Sequence, residues 1–230
     1  MSLSTQYPLA MPTHTGFTQI SLRAIEGSLV TRSPFSFKEQ TQTFGGQRWE
    51  ADITLPPMKR DAAETWIAWL MSLKGPRGKF YLSDPTATTP RGSARDADAV
   101  TIVNNGSTII PANDTIYISK GSSAVTGYLK AGDYIQIGVG TDGTQNLHKV
   151  LQDVNLASDG SATVYIWPNI RRAAHKVNGY SDIKFQSSSG IFRLQDSSVG
   201  WDINNAMTYG LTFGAIEHVV TDLAGEIGGG

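Results

Sequence analysis

Between Trp49 and Gly92 the chain leaves its backbone little freedom. In Trp49-Glu50-Ala51-Asp52-Ile53-Thr54-Leu55 apolar side chains fall on every second position, the period of a strand with one buried face. Pro56-Pro57 then ends the ladder, because proline has no N–H to donate. Asp61 followed by Glu64 has the spacing of an N-cap residue and its reciprocal partner, which predicts a helix over Asp61–Leu73. Trp66, Ile67, Leu70, Met71 and Leu73 give that helix a broad apolar face, and Gly75-Pro76 stops it. Trp66 is expected in the core, packed with Leu70 on the sheet that carries Trp49, Ile53 and Leu55. Trp69 lies three residues further on, where the same face does not easily bury a second indole. Gly78-Lys79-Phe80-Tyr81-Leu82-Ser83-Asp84-Pro85 reads as a returning strand. No nucleophile with a base and no ligand cluster interrupts this block. It is a scaffold.

The remaining chain reads as strands and turns, a mainly β protein with one conspicuous helix. Only 17% of residues are charged while glycine is plentiful, a balance that suits turns better than a helical bundle. Strands are expected at 17–32 and 46–55 before the helix. Beyond Thr86–Arg95, a polar and Pro-containing stretch, they recur at Ala99–Val103, Thr115–Ser119, Asp133–Ile137, near Leu147–Val154 and at Ala162–Trp167. Asn105-Gly106, Asp142-Gly143 and Asp159-Gly160 are dipeptides that tolerate the positive φ of tight turns. Ile183–Gln186 and Ile191–Leu194 around Ser187–Gly190 suggest a hairpin, and Met207, Tyr209, Leu211 and Phe213 alternate as a final strand. The polar stretches divide the chain into a discontinuous domain, 1–90 with 181–230, and an inserted β domain, 91–180.

Several function classes lose ground on composition. The net charge of −1 gives no global basic field for nucleic acid or an anionic membrane. No apolar run reaches the ~18 residues of a membrane-spanning helix, and Met1–Pro8 lacks the basic and apolar regions of a signal peptide. Cysteine is absent, which removes disulfides and thiolate metal sites and agrees with an intracellular protein of no redox role. Asn105-Gly106-Ser107 and Asn113-Asp114-Thr115 match the glycosylation pattern, but without a signal peptide they read as turns.

Two blocks of sequence resemble the distal tail or baseplate-hub adaptor proteins of tailed bacteriophages. The first runs through Trp49, Leu55-Pro56-Pro57, Arg60, Ala63, Trp66, Trp69-Leu70 and Leu73. It continues through Gly78–Leu82, Asp84-Pro85 and Pro90-Arg91-Gly92. The second comprises Leu129–Tyr134, Leu147–Leu151, Ala162–Arg171, Phe192-Arg193-Leu194 and Trp201. Together they cover most of 46–201, and their motifs are packing and turn signals. The resemblance implies a tail-tube-like β-sandwich, or belt, with one α-helix, formed by 1–90 and 181–230. The insert 91–180 would be a small outer β-barrel or β-sandwich. It implies a structural virion protein, a homo-hexameric ring that joins the tail tube to the tail tip or hub and to fibres or receptor-binding proteins. DNA would pass through the ring without specific binding. No membrane insertion, enzymatic activity, cofactor or metal is expected, and the location would be the distal end of the virion tail after assembly in the host cytoplasm. Trp69, and Arg91, Arg171 and Arg172 near the ends of the insert, are the candidate subunit-interface residues. Solvated linker charges are the bland alternative for the arginines.

Rival readings rest on weaker patterns. Gly138-Val139-Gly140-Thr141-Asp142-Gly143 matches a dinucleotide-binding G-x-G-x-x-G, and Leu147, Val150, Leu151 and Val154 fall at helical spacing after it. The expected acid after the second strand is missing, Pro168-Asn169 standing there, and Asp142-Gly143 suits a hairpin turn better. His14, His148, His175 and His218 are scattered, so a metal site or a Ser/His/Asp triad would have to be assembled by the fold. A carbohydrate- or receptor-binding tail module would use Tyr117, Tyr128, Tyr134 and Tyr165. A cell-wall hydrolase would need a pair of acids that the sequence does not offer.

Overall fold

A computed structural model of the chain describes residues 7–13, 16–102, 114–121, 123–138, 145–170 and 183–219. They form a mainly β protein with one α-helix among the described residues. In chain order the elements are β1 (Gln19–Arg32), β2 (Glu39–Thr54), α1 (Arg60–Ser72), β3 (Phe80–Leu82), β4 (Thr101–Ile102), β5 (Thr115–Ser119), β6 (Val125–Leu129) and β7 (Tyr134–Ile137). There follow β8 (Asn146–Val150), β9 (Val154–Leu156), β10 (Ser161–Trp167), β11 (Ile183–Lys184), β12 (Gly190–Leu194), β13 (Asp202–Ile203), β14 (Tyr209–Gly210) and β15 (Thr212–Glu217). The chain divides into two compact units, one of Met1–Ala10, Lys79–Phe192 and His218–Gly230, the other of Met11–Gly78 and Arg193–Glu217. The expected insert, 91–180, falls inside the first unit, which takes in about a dozen further residues on each side.

In the second unit β2 is paired on both sides. Its last residues face β1 in the register Ile20↔Ile53 and Leu22↔Ala51, and face β15 in the register Phe213↔Ile53 and Ala215↔Ala51. Directly paired residues project to the same side of a sheet, so Ile20, Ile53 and Phe213 form one apolar row. The period-2 pattern of 49–55 is realised as predicted, with Trp49, Ala51, Ile53 and Leu55 buried. The final strand is shorter than the alternation from Met207 suggests. Met207 is exposed, in the turn of the β13–β14 hairpin, where its amide donates to the Asn204 carbonyl.

Helix α1 starts one residue earlier than expected, and the predicted capping box does not form. Lys59 occupies the N-cap without a side-chain cap, Asp61 lies in the first turn, and Glu64 pairs with Arg60 at 3.4 Å. A carboxylate in the first turn still favours the positive end of the helix dipole. Lys74 and Gly75, at φ 53° and 67°, turn the chain out of the helix. Trp66 is fully buried, its ring 6.1 Å from Phe17 and 6.4 Å from Phe213. Trp69 is buried as well, at 9% exposed, because its ring packs edge-on to Trp66 at 5.6 Å and also meets Phe213 at 6.1 Å. Edge-to-face geometry lets two indoles three residues apart share one seat.

The first unit holds a six-stranded, nearly closed barrel-like sheet in the order β11-β7-β8-β10-β5-β4. Its core includes Ile116, Ile118, Ile135, Ile137, Val164 and Ile166, contributed by alternating strand positions. Strands β7 and β8 are antiparallel neighbours, Ile135 opposite His148. A dinucleotide-binding βαβ unit needs parallel strands and an intervening helix, so that reading is excluded. Its Asp142-Gly143 lies outside the described residues, as do Asn105-Gly106, Asn113 and His175. The expected hairpin between Ile183 and Leu194 is also corrected. β11 pairs with β7 and β12 pairs with β3, because the link between them is bound elsewhere: the Ser189 amide donates to Gln136 Oε1 at 3.1 Å and that of Ser187 to the Thr88 carbonyl at 2.7 Å.

Truncating Trp66 to alanine removes the indole on which Phe17, Trp69 and Phe213 all rest. Denaturant unfolding of Trp66→Ala is expected to show a loss of about 3–5 kcal/mol. A loss below about 1 kcal/mol would mean that the side chain is not in the core.

Candidate subunit interface

Among the described residues, the outer half of the β1–β2 hairpin is left uncovered. Pairing of β2 with β15 ends at Glu50↔Ile216. The Trp49 amide donates instead to the buried carboxylate of Glu217 at 2.8 Å. From Gln47 outward, among the described residues, β2 is paired only with β1, through Glu26↔Gln47 and then Ser28↔Thr43 to Arg32↔Glu39, with a register shift between. Every residue from Ser28 to Gly46 except Ser33 is exposed. The ribbon therefore stands with both faces bare. It nevertheless carries large apolar groups: Phe35 is 94% exposed, Phe37 67% and Phe44 62%, with Leu29 and Val30 also uncovered. A two-stranded ribbon with no packed face is marginally stable in water, and clustered exposed apolar groups mark interaction surfaces.

Sequence reasoning stopped short of this feature. It assigned strands to 17–32 and 46–55 and nothing to the stretch between, because 39–46 (Glu-Gln-Thr-Gln-Thr-Phe-Gly-Gly) has no apolar alternation. The missed signal was three phenylalanines in a polar segment with no face on which to bury them.

Of the candidate interface residues, Trp69 and Arg91 belong to different units. Trp69, on α1, is in the second. Arg91, in the first unit, is largely exposed and bound: its Nε lies 3.3 Å from Asp133 Oδ1, and Nη2 donates to the Ala131 carbonyl. Arg171 and Arg172 lie outside the described residues. The tyrosine platform is also corrected. Tyr128 and Tyr134 are buried, Tyr128 against Phe185 at 5.8 Å, which leaves Tyr165 as the one of the four classed as exposed.

Asp133 explains why two of the resembling motifs occur together. Its buried carboxylate accepts the Arg91 amide at 2.9 Å, the Gly92 amide at 3.2 Å and the Lys130 amide at 2.8 Å. Pro90-Arg91-Gly92 is thereby tied to the Leu129–Tyr134 segment. Gly92 must be glycine, since a Cβ there would overlap the Tyr128 carbonyl. Another pair of motif residues meets where His148 Nδ1 lies 2.6 Å from the Pro168 carbonyl. Close by in sequence, burial works against ionisation of Asp98. Hydrogen bonds from Lys120 Nζ, the Arg95 amide and the Tyr128 hydroxyl outweigh it and hold the carboxyl below its usual range. Burial and then the Asp98 bond push the Tyr128 hydroxyl up, so it stays a donor. These carboxylates hold backbone and side chains in place. Among the described residues no group of three or more His, Asp or Glu is placed to hold a metal ion. No helix among them is long and apolar enough to cross a membrane.

No protein-family model matches the sequence, and no curated protein matches it either.

Asp133→Ala removes the acceptor of three amides, of which that of Gly92 is buried. Its unfolding free energy is expected to fall by about 2–4 kcal/mol in denaturant melts. Asp133→Asn, which keeps one carbonyl acceptor, should lose less. Equal losses would show that the amides find other partners.

Proposed function

We propose that this chain is a structural protein that assembles with copies of itself into a ring, the distal tail adaptor of a bacteriophage. The observation that carries the reading is the bare β1–β2 ribbon. Its exposed phenylalanines and unpaired strand edges are stabilised only when another surface covers them. Copies that present one patch and receive it on another associate head to tail, and such contacts close into a ring when the rotation per subunit divides a full turn. The resemblance of 46–201 to tail adaptors supplies the setting, a hexamer between tail tube and tail tip or hub, with fibres or receptor-binding proteins outside and DNA passing through. Motif residues such as Trp66, Gly92 and Asp133 serve packing and turn geometry, as a scaffold requires. No catalytic role is part of this proposal.

Six subunits of 24.8 kDa would weigh about 149 kDa. Averaged electron micrographs of assembled tails are expected to show six copies around the axis just beyond the tube. Absence from purified virions, or three-fold or single-copy stoichiometry, would refute the adaptor reading.

A further inference from the structure

The second unit carries a second uncovered apolar region, at the other end of the ribbon. A groove of about 360 Å³ lies at the ribbon's base, lined by Thr18, Thr54, Leu55, Pro57, Asp202 and Leu211 among others. Leu55 and Leu211 form its buried floor, held together where the Leu55 amide donates to the Leu211 carbonyl at 3.0 Å. The adjoining β13–β14 hairpin exposes Ile203, at 59%, and Met207, at 81%. A cavity of about 150 Å³ takes a benzene ring, so the groove has room for a phenylalanine and part of the chain that carries it.

Charge distinguishes the two regions. At the tip Arg32 is engaged, 3.5 Å from Glu39 and stacked over Phe37 at 5.2 Å, which leaves Lys38 as the cation that no carboxylate there offsets. Of the residues that line the groove, Asp202 carries a charge. Lys38 and Asp202 take part in no ion pair among the described residues. The thirteen steps of strand from Gln19 to Arg32 separate groove and tip by on the order of 40 Å. A chain cannot lay its own tip in its own groove without breaking the β1–β2 ladder. A ribbon tip that fills this groove therefore belongs to another copy of the chain.

We infer that the ribbon tip of one copy docks in the base groove of the next, with Phe35 on the Leu55–Leu211 floor and Lys38 against Asp202. The inference rests on the self-assembly reading and gives its contact a location. Donor and acceptor surfaces differ, so the contact is head to tail and each copy uses both. Burying Phe35 and Met207 together would remove the most exposed apolar side chain at each end of the ribbon.

The absence of cysteine makes disulfide trapping direct. Full-length Ser36→Cys, which keeps Phe35, and full-length Pro57→Cys are prepared separately and mixed under mild oxidation. The mixture is expected to give a crosslinked dimer that neither variant gives alone, and the double variant in one chain a ladder ending at the closed ring. Adding Lys38→Glu to the first variant, or Asp202→Lys to the second, is expected to slow trapping about tenfold, and combining both to restore it. Trapping of Ser36→Cys with itself at the same rate would overturn the inference in favour of tip-to-tip pairing. So would charge reversals that fail to compensate. A dye on Ser36→Cys that shifts with phosphatidylcholine–phosphatidylglycerol vesicles, in place of the mixed dimer, would overturn it in favour of a lipid surface. Six-fold rings in tails without any mixed disulfide would refute the groove and leave the ring standing. A protein that never assembles, in tails or alone, would remove both.

Discussion

The second unit hangs on the register of β2 against both of its neighbours. Ile53 sits opposite Ile20 on one side and Phe213 on the other, and that row is where the aromatic seat of α1 rests. A slip of one residue on either side would turn the buried set of β2 toward water, because side chains alternate strictly along a strand. Trp49, Ala51, Ile53 and Leu55 would then exchange places with Glu50, Asp52 and Thr54. The opposite face reinforces the choice: Arg23 of β1 reaches both Glu50 and Asp52 of β2. These pairs are partly exposed and weak in themselves. Their value lies in being available in one register only.

The bare ribbon follows from the same arrangement. β15 ends at Glu217, and its side chain takes the Trp49 amide, so the sheet is terminated on that side while β1 and β2 run on for many residues. Composition changes at that point. Inside the sheet β2 alternates; beyond it, Thr41, Thr43, Gln40 and Gln42 hold strand geometry with side chains that tolerate water. Polar side chains on both faces limit indiscriminate edge pairing, and the apolar groups are concentrated at Phe35, Phe37 and Phe44. A ribbon built this way discriminates between partners better than one that is apolar throughout.

Much of this was legible from sequence, and the losses have physical causes. Strands that alternate and end at prolines or turns, such as 49–55, 115–119 and 162–167, appear where the period places them. β6 was missed because Val125-Thr126-Gly127-Tyr128-Leu129 carries a glycine at φ 67° and a register irregularity that break the alternation. The capping box failed because Asp61 and Glu64 fit the pattern but the helix begins a residue earlier, at Arg60. Ile183–Leu194 looked like a hairpin because proximity in sequence favours local pairing, yet β7 and β3 were available as better partners. A helical-wheel argument gave one face little room for both Trp66 and Trp69, because it ignores edge-to-face packing.

The residues of the proposed interface were the least legible part, and the reason is general. A core residue declares itself by periodicity, since its own chain supplies the face that buries it. A residue buried by another copy has no such periodicity within the chain. Phe35 and Phe37 are two apart in a turn and are followed by a polar strand, so no amphipathic pattern marks them. Arg91 shows the converse error. It stands in a resembling motif and is largely exposed, yet its guanidinium and its amide both close on Asp133, the geometry of a brace within one unit. Resemblance identifies residues that keep a fold, whereas an assembly surface is better sought where the fold leaves apolar groups without cover. Here that criterion selects the ribbon tip and the groove at its base, two surfaces that one chain cannot bring together.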